Sequence, residues 1–282
     1  MKNILIASIT CGLVLASAPA VLAYSPYYLS TQNDATLGGL TFQEDDVVVY
    51  PPATGAATMF FDGANFSASE NIDALHIMGD GSQVMVISTT LGATLGGVTF
   101  KDGDLVRYDP VSNSASLFFE ESDHFRLSED IDALSILVNG HLVFSTDNDA
   151  TLENTSTGNF SFSDGDLIEY DPVSRTALKI FDQSLFGGQI DIDAVHVQAD
   201  NTIILSTATA ATLGGLAFDE DDLVLYNLVT GQATLLLNGA DHFTLQENID
   251  AISMAPIPIP GAMWLFGSGL FALSGFRRKS RR

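Results

Sequence analysis

The chain has 282 residues, of which 46% are hydrophobic and only 16% are charged, so it contains enough apolar side chains to bury a core. Its 35 acidic residues outnumber its 11 Lys and Arg residues and give a formal net charge of −24. This balance excludes the binding of nucleic acid through a basic surface. The apolar fraction also argues against a disordered acidic chain, which would have few residues for a core.

The first 23 residues have the pattern of a secretory signal peptide. Lys2 is followed by an apolar stretch over residues 4–18, and Val21 and Ala23 are small residues at positions −3 and −1 of a cleavage site. We therefore expect residues 1–23 to be removed on export. Because Cys11, the one cysteine of the chain, lies in this segment, we expect a mature protein without disulfides or thiol catalysis.

Residues 24–256 contain four copies of one unit, with a period of about 59 residues. Each copy has an ATL segment and then an acidic step into an apolar run that ends at a tyrosine, namely Tyr50, Tyr108, Tyr170 and Tyr226. A second apolar run and an Ile-Asp-Ala step follow, and the third copy carries an insertion at residues 153–159. These runs predict about four short strands per copy, which is typical of the blades of a β-propeller.

The two ends of the repeat array complement each other. Residues 27–31 match the fourth-strand segments of the other copies, and residues 249–254 match the strand that should precede them. Pairing of the two segments would complete a fourth blade and remove free sheet edges. We therefore predict an all-β, four-bladed β-propeller closed by its termini rather than an open solenoid.

Two aspartate positions recur in all four copies, each just before a predicted strand. The first set is Asp46, Asp104, Asp166 and Asp222, and the second set is Asp73, Asp132, Asp193 and Asp250. Such residues accept backbone N–H bonds in tight turns. They also supply the carboxylate oxygens that calcium requires, and residues 24–256 hold five basic residues against all 35 acids. Both interpretations stay open, and the eight aspartates are candidate calcium ligands.

His76 and His196 follow equivalent aspartates by three residues, and they either bind a metal near the propeller axis or are hydrogen-bonded within the core. The chain has no GxSxG, HExxH or phosphate-loop motif. We therefore predict a non-enzymatic structural or binding protein, with calcium as the candidate cofactor. The alternative is a hydrolase or lyase that acts on extracellular polysaccharide through paired acids.

The last residues of the chain combine an apolar segment with a basic end. Residues 257–276 are uncharged, and Arg277, Arg278 and Lys279 follow directly. This pattern predicts a transmembrane helix whose basic end is cytoplasmic. Together with Pro258, Pro260 and Trp264, the order of these residues resembles the PEP-CTERM sorting signal, with Ile259 where that family has Glu.

The resemblance covers about the last 25 residues and implies where the protein is sorted. It implies a Gram-negative host, recognition by an exosortase-type enzyme, and an inner-membrane intermediate before transfer to the cell surface or extracellular matrix. The expected partners are that enzyme, the membrane, and extracellular polysaccharide or a surface protein. The predicted domains are a signal peptide (1–23), a propeller-like repeat domain (24–256) and a sorting signal (257–282).

Overall fold

The computed structural model describes residues 25–79, 81–198 and 200–254. The predicted signal peptide lies outside these residues, as does the predicted sorting signal with Pro258, Trp264 and the basic cluster at residues 277–279. None of the helices in the described part of the chain is long and apolar enough to cross a membrane.

The described residues form 24 β-strands and four short 3-10 helices. The strands are β1 (Tyr27–Thr31), β2 (Ala35–Leu37), β3 (Leu40–Phe42), β4 (Val47–Tyr50), β5 (Thr58–Phe61), β6 (Ala74–Ile77), β7 (Met85–Ser88), β8 (Ala93–Leu95), β9 (Val98–Phe100), β10 (Leu105–Asp109), β11 (Ser114–Phe119), β12 (Ala133–Ile136), β13 (Leu142–Ser145), β14 (Ala150–Thr155), β15 (Gly158–Phe162), β16 (Leu167–Asp171), β17 (Thr176–Phe181), β18 (Ala194–Val197), β19 (Thr202–Ser206), β20 (Ala211–Leu213), β21 (Leu216–Phe218), β22 (Leu223–Asn227), β23 (Ala233–Leu237) and β24 (Ile249–Met254). The 3-10 helices are Gly63–Asn65, Glu121–Asp123, Gln183–Phe186 and Gly239–Asp241.

Most of these strands belong to four antiparallel sheets of four strands each, which are the blades. Blade 1 has the order β24-β1-β4-β5, blade 2 β6-β7-β10-β11, blade 3 β12-β13-β16-β17 and blade 4 β18-β19-β22-β23. The inner strands β24, β6, β12 and β18 contact one another around a central axis. The predicted all-β, four-bladed arrangement is confirmed.

Blade 1 closes the propeller because it is built from both ends of the repeat array. β24 pairs with β1 in antiparallel register, with Tyr27 opposite Met254 and Leu29 opposite Ile252. The other edge of β1 pairs with β4. Tyr27, Leu29 and Ile252 are buried in this sheet. The predicted pairing of the two ends is therefore confirmed.

Each repeat also contains a two-stranded hairpin that was not predicted from the sequence. These hairpins are β2-β3, β8-β9, β14-β15 and β20-β21. In the first, Gly38 and Gly39 have φ angles of +54° and +86°, as a tight two-residue hairpin turn requires. A Cβ at Gly38 would lie 2.6 Å from the carbonyl oxygen of Gly55, so this position also needs glycine for its close approach to the outer turn.

The hydrophobic core lies between neighbouring blades. Each of four apolar clusters combines side chains from two adjacent blades. Phe61 of blade 1 packs against Tyr108 of blade 2, with ring centroids 5.5 Å apart. Phe119 of blade 2 meets Tyr170 of blade 3 in the same way, at 6.4 Å. Because every cluster spans a junction, loss of one blade would expose apolar surface on both of its neighbours.

Candidate metal centre

The first set of repeated aspartates holds turns together. One carboxylate oxygen of Asp46 accepts the backbone N–H of Gln43, and the other accepts that of Gly63, both at 2.8 Å. The equivalent residues Asp104, Asp166 and Asp222 make the same two bonds. Both carboxylate oxygens of each residue therefore have backbone partners, which is the structural role that the sequence left open.

Blade 4 adds further acids at this position. Asp219, Asp221 and Asp222 bring carboxylate oxygens within 4.8 Å of one another. Asp219 is exposed to solvent, and both oxygens of Asp222 are already hydrogen-bonded. Asp221 and Asp222 are buried, but solvent and salt screen the charge of Asp219, so this cluster has less need of a bound ion than a cluster without an exposed member.

The second set of repeated aspartates lies around the central axis, at the end where the inner strands begin. Asp73, Asp132 and Asp193 directly precede β6, β12 and β18, and Asp250 is the second residue of β24. All four are buried, with 4 to 8% of their surface exposed. Two residues before each aspartate stands a polar partner, namely Asn71, Asp130, Asp191 and Asn248. These eight residues are named the acid ring.

At two junctions of the acid ring, an aspartate faces an asparagine of the next blade. The amide nitrogen of Asn248 donates to Asp193 at 2.5 Å. The side chain of Asn71 makes the corresponding contact with Asp250. The amide oxygens of both asparagines are buried and have no hydrogen-bond partner. Both of these carboxylate–amide junctions lie beside blade 1, the closing blade.

At the other two junctions, which lie beside blade 3, an acid faces an acid. The carboxyl groups of Asp73 and Asp130 are in contact, and Asp132 lies beside Asp191. Asp132, Asp191 and Asp193 bring carboxylate oxygens within 4.8 Å of one another. Neither oxygen of Asp73 has a hydrogen-bond partner, and one buried oxygen of Asp130 and one of Asp191 also lack partners. Two carboxyl groups in such contact require a proton or a cation between them.

The backbone is held alike at all four junctions. The residue two positions before each ring aspartate accepts a backbone hydrogen bond through its carbonyl oxygen. The acceptor carbonyls are those of Asn71, Asp130, Asp191 and Asn248, and the donors are the N–H groups of Thr90, Asp147, Ala208 and Gln32. The amide and the acid junctions therefore share this backbone hydrogen bond and differ in their side chains.

Burial and mutual repulsion raise the pKa of every acid in the ring. Burial and then the charges of Asp102 and Asp147 raise the pKa of Asp130 to about 7. Burial and then the charge of Asp193 raise the pKa of Asp191 to about 8. For the same reasons the pKa is about 7 for Asp193 and Asp250, and well above the usual range for Asp73 and Asp132. A site that disfavours so much negative charge is one that a proton or a divalent cation stabilises.

Three residues after the ring aspartates, the inner strands carry a second ring of side chains, His76, Ser135, His196 and Ser253. Nδ1 of His76 accepts the N–H of Ile136 at 3.1 Å, and Nδ1 of His196 accepts that of Met254 at 3.4 Å. An accepting Nδ1 carries no proton, so the neutral imidazole holds its proton on Nε2. Burial lowers the pKa of His76 to about 3 and that of His196 to about 4. Since neither nitrogen has a free lone pair for a metal, this geometry favours the hydrogen-bonded interpretation of the two histidines.

No protein-family model and no curated protein matches the chain. Among solved structures, a chain of a nidogen/laminin complex aligns with 82% of this chain and 98% of its own length, at 8% identity and a TM-score of 0.44. A protein of unknown function from Bacteroides caccae aligns with 79% of this chain and 78% of its own, at 8% identity and a TM-score of 0.36. The extracellular domain of a one component system from B. thetaiotaomicron aligns with 79% of this chain but only 34% of its own, at 11% identity and a TM-score of 0.34. Similarity this low carries no information about function, and the propeller assignment rests on the sheet topology.

Proposed function

We propose that this chain is a non-enzymatic structural or binding protein of the bacterial extracellular matrix, and that its propeller holds calcium in the acid ring. The observation that carries the proposal is the triad of Asp132, Asp191 and Asp193, whose carboxylate oxygens lie within 4.8 Å of one another. One of the triad's oxygens, on Asp191, is buried without a partner. Calcium takes six to eight oxygen ligands, and carboxylates are the strongest of them.

The charges around the ring support a bound cation. In the described part of the chain, the ion pairs join Lys179 to Asp166 and Asp182, and His141 to Glu169 and Asp171. None of these pairs includes a ring residue, so no basic side chain neutralises the ring. Because the ring offers only oxygen ligands, it suits a hard cation such as calcium better than a softer transition metal.

The proposed localisation rests on the sequence patterns at the two ends of the chain. The signal peptide pattern of residues 1–23 and the PEP-CTERM-like tail of residues 257–282 support export, processing by an exosortase-type enzyme at the inner membrane, and delivery to the surface of a Gram-negative cell. Extracellular polysaccharide or a surface protein is the partner we propose there. Cell fractionation should find a membrane-bound intermediate, and full-length protein that is soluble in the periplasm would contradict this route.

The second candidate, a polysaccharide hydrolase or lyase, needs two acids that a substrate can reach. The exposed fraction is 4% for Asp73 and 8% for Asp132, at the two acid–acid junctions of the ring. Asp130 and Asp191, the partner acids, are half-buried, and the burial of one acid in each pair favours a binding role for the ring over catalysis on a polymer.

Equilibrium unfolding of the purified protein in calcium and in sodium at equal ionic strength tests the proposed ion. Screening alone would act alike in both buffers. A specific site should add about 2.7 kcal/mol to the free energy of unfolding when calcium is present at about 100 times its dissociation constant. Coincident unfolding curves of the wild-type protein would refute the proposal.

Two substitutions locate the site. D191N places at this junction the amide that Asn71 and Asn248 supply at theirs, and it should remove the part of the calcium-dependent gain that the triad contributes. D104N is the matched control, because Asp104 is also a buried aspartate repeated in each copy, but its oxygens accept backbone N–H groups. It should lower stability in both buffers and keep the gain. If D104N removes the calcium-dependent gain and D191N does not, the ion lies elsewhere.

A further inference from the structure

We infer that the acid ring holds a second divalent cation, between Asp73 and Asp130 at the junction of blades 2 and 3. This inference rests on the proposed calcium chemistry of the ring, but it uses residues outside the triad of Asp132, Asp191 and Asp193. The carboxyl groups of Asp73 and Asp130 come from different blades and are in contact. A pair that offers only carboxylate oxygens takes a hard cation such as calcium.

The state of Asp73 is the observation that points to a ligand. Its side chain is 4% exposed, and neither of its carboxylate oxygens has a hydrogen-bond partner. Thr90 approaches this carboxyl group without reaching hydrogen-bond geometry. One oxygen of Asp130 is also buried without a hydrogen-bond partner. Because buried polar atoms in proteins almost always have partners, three unpartnered carboxylate oxygens at one junction indicate an ion that completes it.

The junction of blades 1 and 2 shows the ring where no ion is required. There the side chain of Asn71 forms a hydrogen bond with Asp250, and the uncharged amide adds no repulsion. At the junction of blades 2 and 3, the place of that asparagine is taken by Asp130, with its backbone held in the same way. An ionised Asp130 can only accept hydrogen bonds, as can Asp73. When both are ionised, two acceptors that face each other need a cation between them.

The surrounding charges strengthen the attraction for a cation. Asp102 and Asp147 act on Asp130, and Asp250 acts on Asp73. Among the described residues, no Lys or Arg side chain forms an ion pair with Asp73 or Asp130. The junction therefore has a negative field that no basic side chain neutralises.

Counting bound calcium ions per chain tests the inference. Equilibrium dialysis of the purified full chain against calcium gives the number of ions, and the differences between variants cancel any ions bound outside the ring. We expect D130N to bind one ion fewer than the wild type, D191N also one fewer, and the double variant two fewer. Asparagine at these positions reproduces Asn71 and Asn248, so the variants should keep the circular dichroism spectrum of the wild type.

The outcomes separate this inference from the proposed function. If D130N binds as many ions as the wild type and D191N one fewer, the second site is refuted and the proposed function stands. If the double variant loses only the one ion that each single variant loses, the ring holds a single shared ion, and the second site is again refuted. If no variant loses an ion, both proposals fail.

The converse variant keeps the inference testable if D130N does not fold. N71D places an acid opposite Asp250 and so converts a carboxylate–amide junction into an acid–acid junction. We expect it to bind one ion more than the wild type. If N71D binds the same number of calcium ions as the wild type, contact between two acids is not sufficient to bind an ion, and the inference is contradicted.

Discussion

Without calcium, the propeller should lose stability as the pH rises from about 6.5 to about 8.5. Over this interval the folded ring releases protons, because the pKa is about 7 for Asp130, Asp193 and Asp250 and about 8 for Asp191. In the unfolded chain, aspartates have a pKa of about 3.9 and are already ionised. The folded state therefore binds more protons than the unfolded state, and the free energy of unfolding falls with increasing pH.

The size of this loss follows from the individual groups. Across the interval, ionisation of each acid with a pKa of about 7 lowers the free energy of unfolding by about 1 kcal/mol, and ionisation of Asp191 lowers it by about 2 kcal/mol. His76 and His196 act in the opposite direction, because their pKa is lowered in the folded state. They offset less than about 1 kcal/mol, since unfolded histidines are mostly neutral above their pKa of about 6.5. We expect a net loss of at least about 3 kcal/mol.

Urea unfolding at three pH values across this interval, in chelator and in saturating calcium at constant ionic strength, measures the effect. Calcium keeps the ring carboxylates ionised in the folded state, so the free energy of unfolding should be nearly independent of pH in that buffer. The D130N/D191N variant should show a smaller slope than the wild type in chelator. A free energy of unfolding that does not change with pH in chelator would refute a buried ring that retains protons. Equal slopes with and without calcium would refute the bound ion.

Three further predictions concern the fold. Gly38→Ala should destabilise the protein by more than about 2 kcal/mol in thermal denaturation, because its Cβ would meet the backbone at Gly55, whereas Gly39→Ala has open space and should cost only about 1 kcal/mol. Equal effects would contradict the packing argument. Leu29→Ala should cost about 2 to 5 kcal/mol and leave one cooperative transition, since Leu29 is fully buried in the closing blade and closure couples all blades. Two separate transitions would show that the blades unfold independently. In ¹⁵N NMR spectra, His76 should remain neutral at pH 5 with its proton on Nε2, and a protonated ring would contradict the hydrogen bond at Nδ1.

The blades and their closure are predictable from the sequence because both depend on local patterns. Short apolar runs between turns predict the strands, and the match between Tyr27–Thr31 and Ile249–Met254 predicts their pairing. The extra hairpins are equally local. Gly38 and Gly39 stand between two short apolar segments, which is a recognised hairpin pattern, and the same pair recurs in the second and fourth repeats, whereas the third repeat carries the insertion at residues 153–159 there.

The acid ring is only partly predictable. Asp73 and Asp132 recur in every copy, so the repeat pattern identifies them. Asp130 and Asp191 do not stand out, because two copies have asparagine at that position. Their importance comes from contact with the preceding blade, and the period of a repeat does not encode contacts across blades. The sequence separates the ring aspartates from the turn aspartates by their position in the repeat, but it does not show their different roles, because those depend on whether backbone N–H groups reach their oxygens in the fold.

The closing blade has a mechanical consequence. Tyr27 and Met254 pair at the same end of two antiparallel strands, so the two ends of the propeller meet side by side. Hydrogen bonds between such strands lie perpendicular to the chain, and a force that separates the two ends breaks them one after another, starting at this pair. Each backbone hydrogen bond contributes only about 1 kcal/mol. Heat must disrupt all four blades together, whereas tension on the two ends separates β1 from β24 by sequential rupture of their hydrogen bonds.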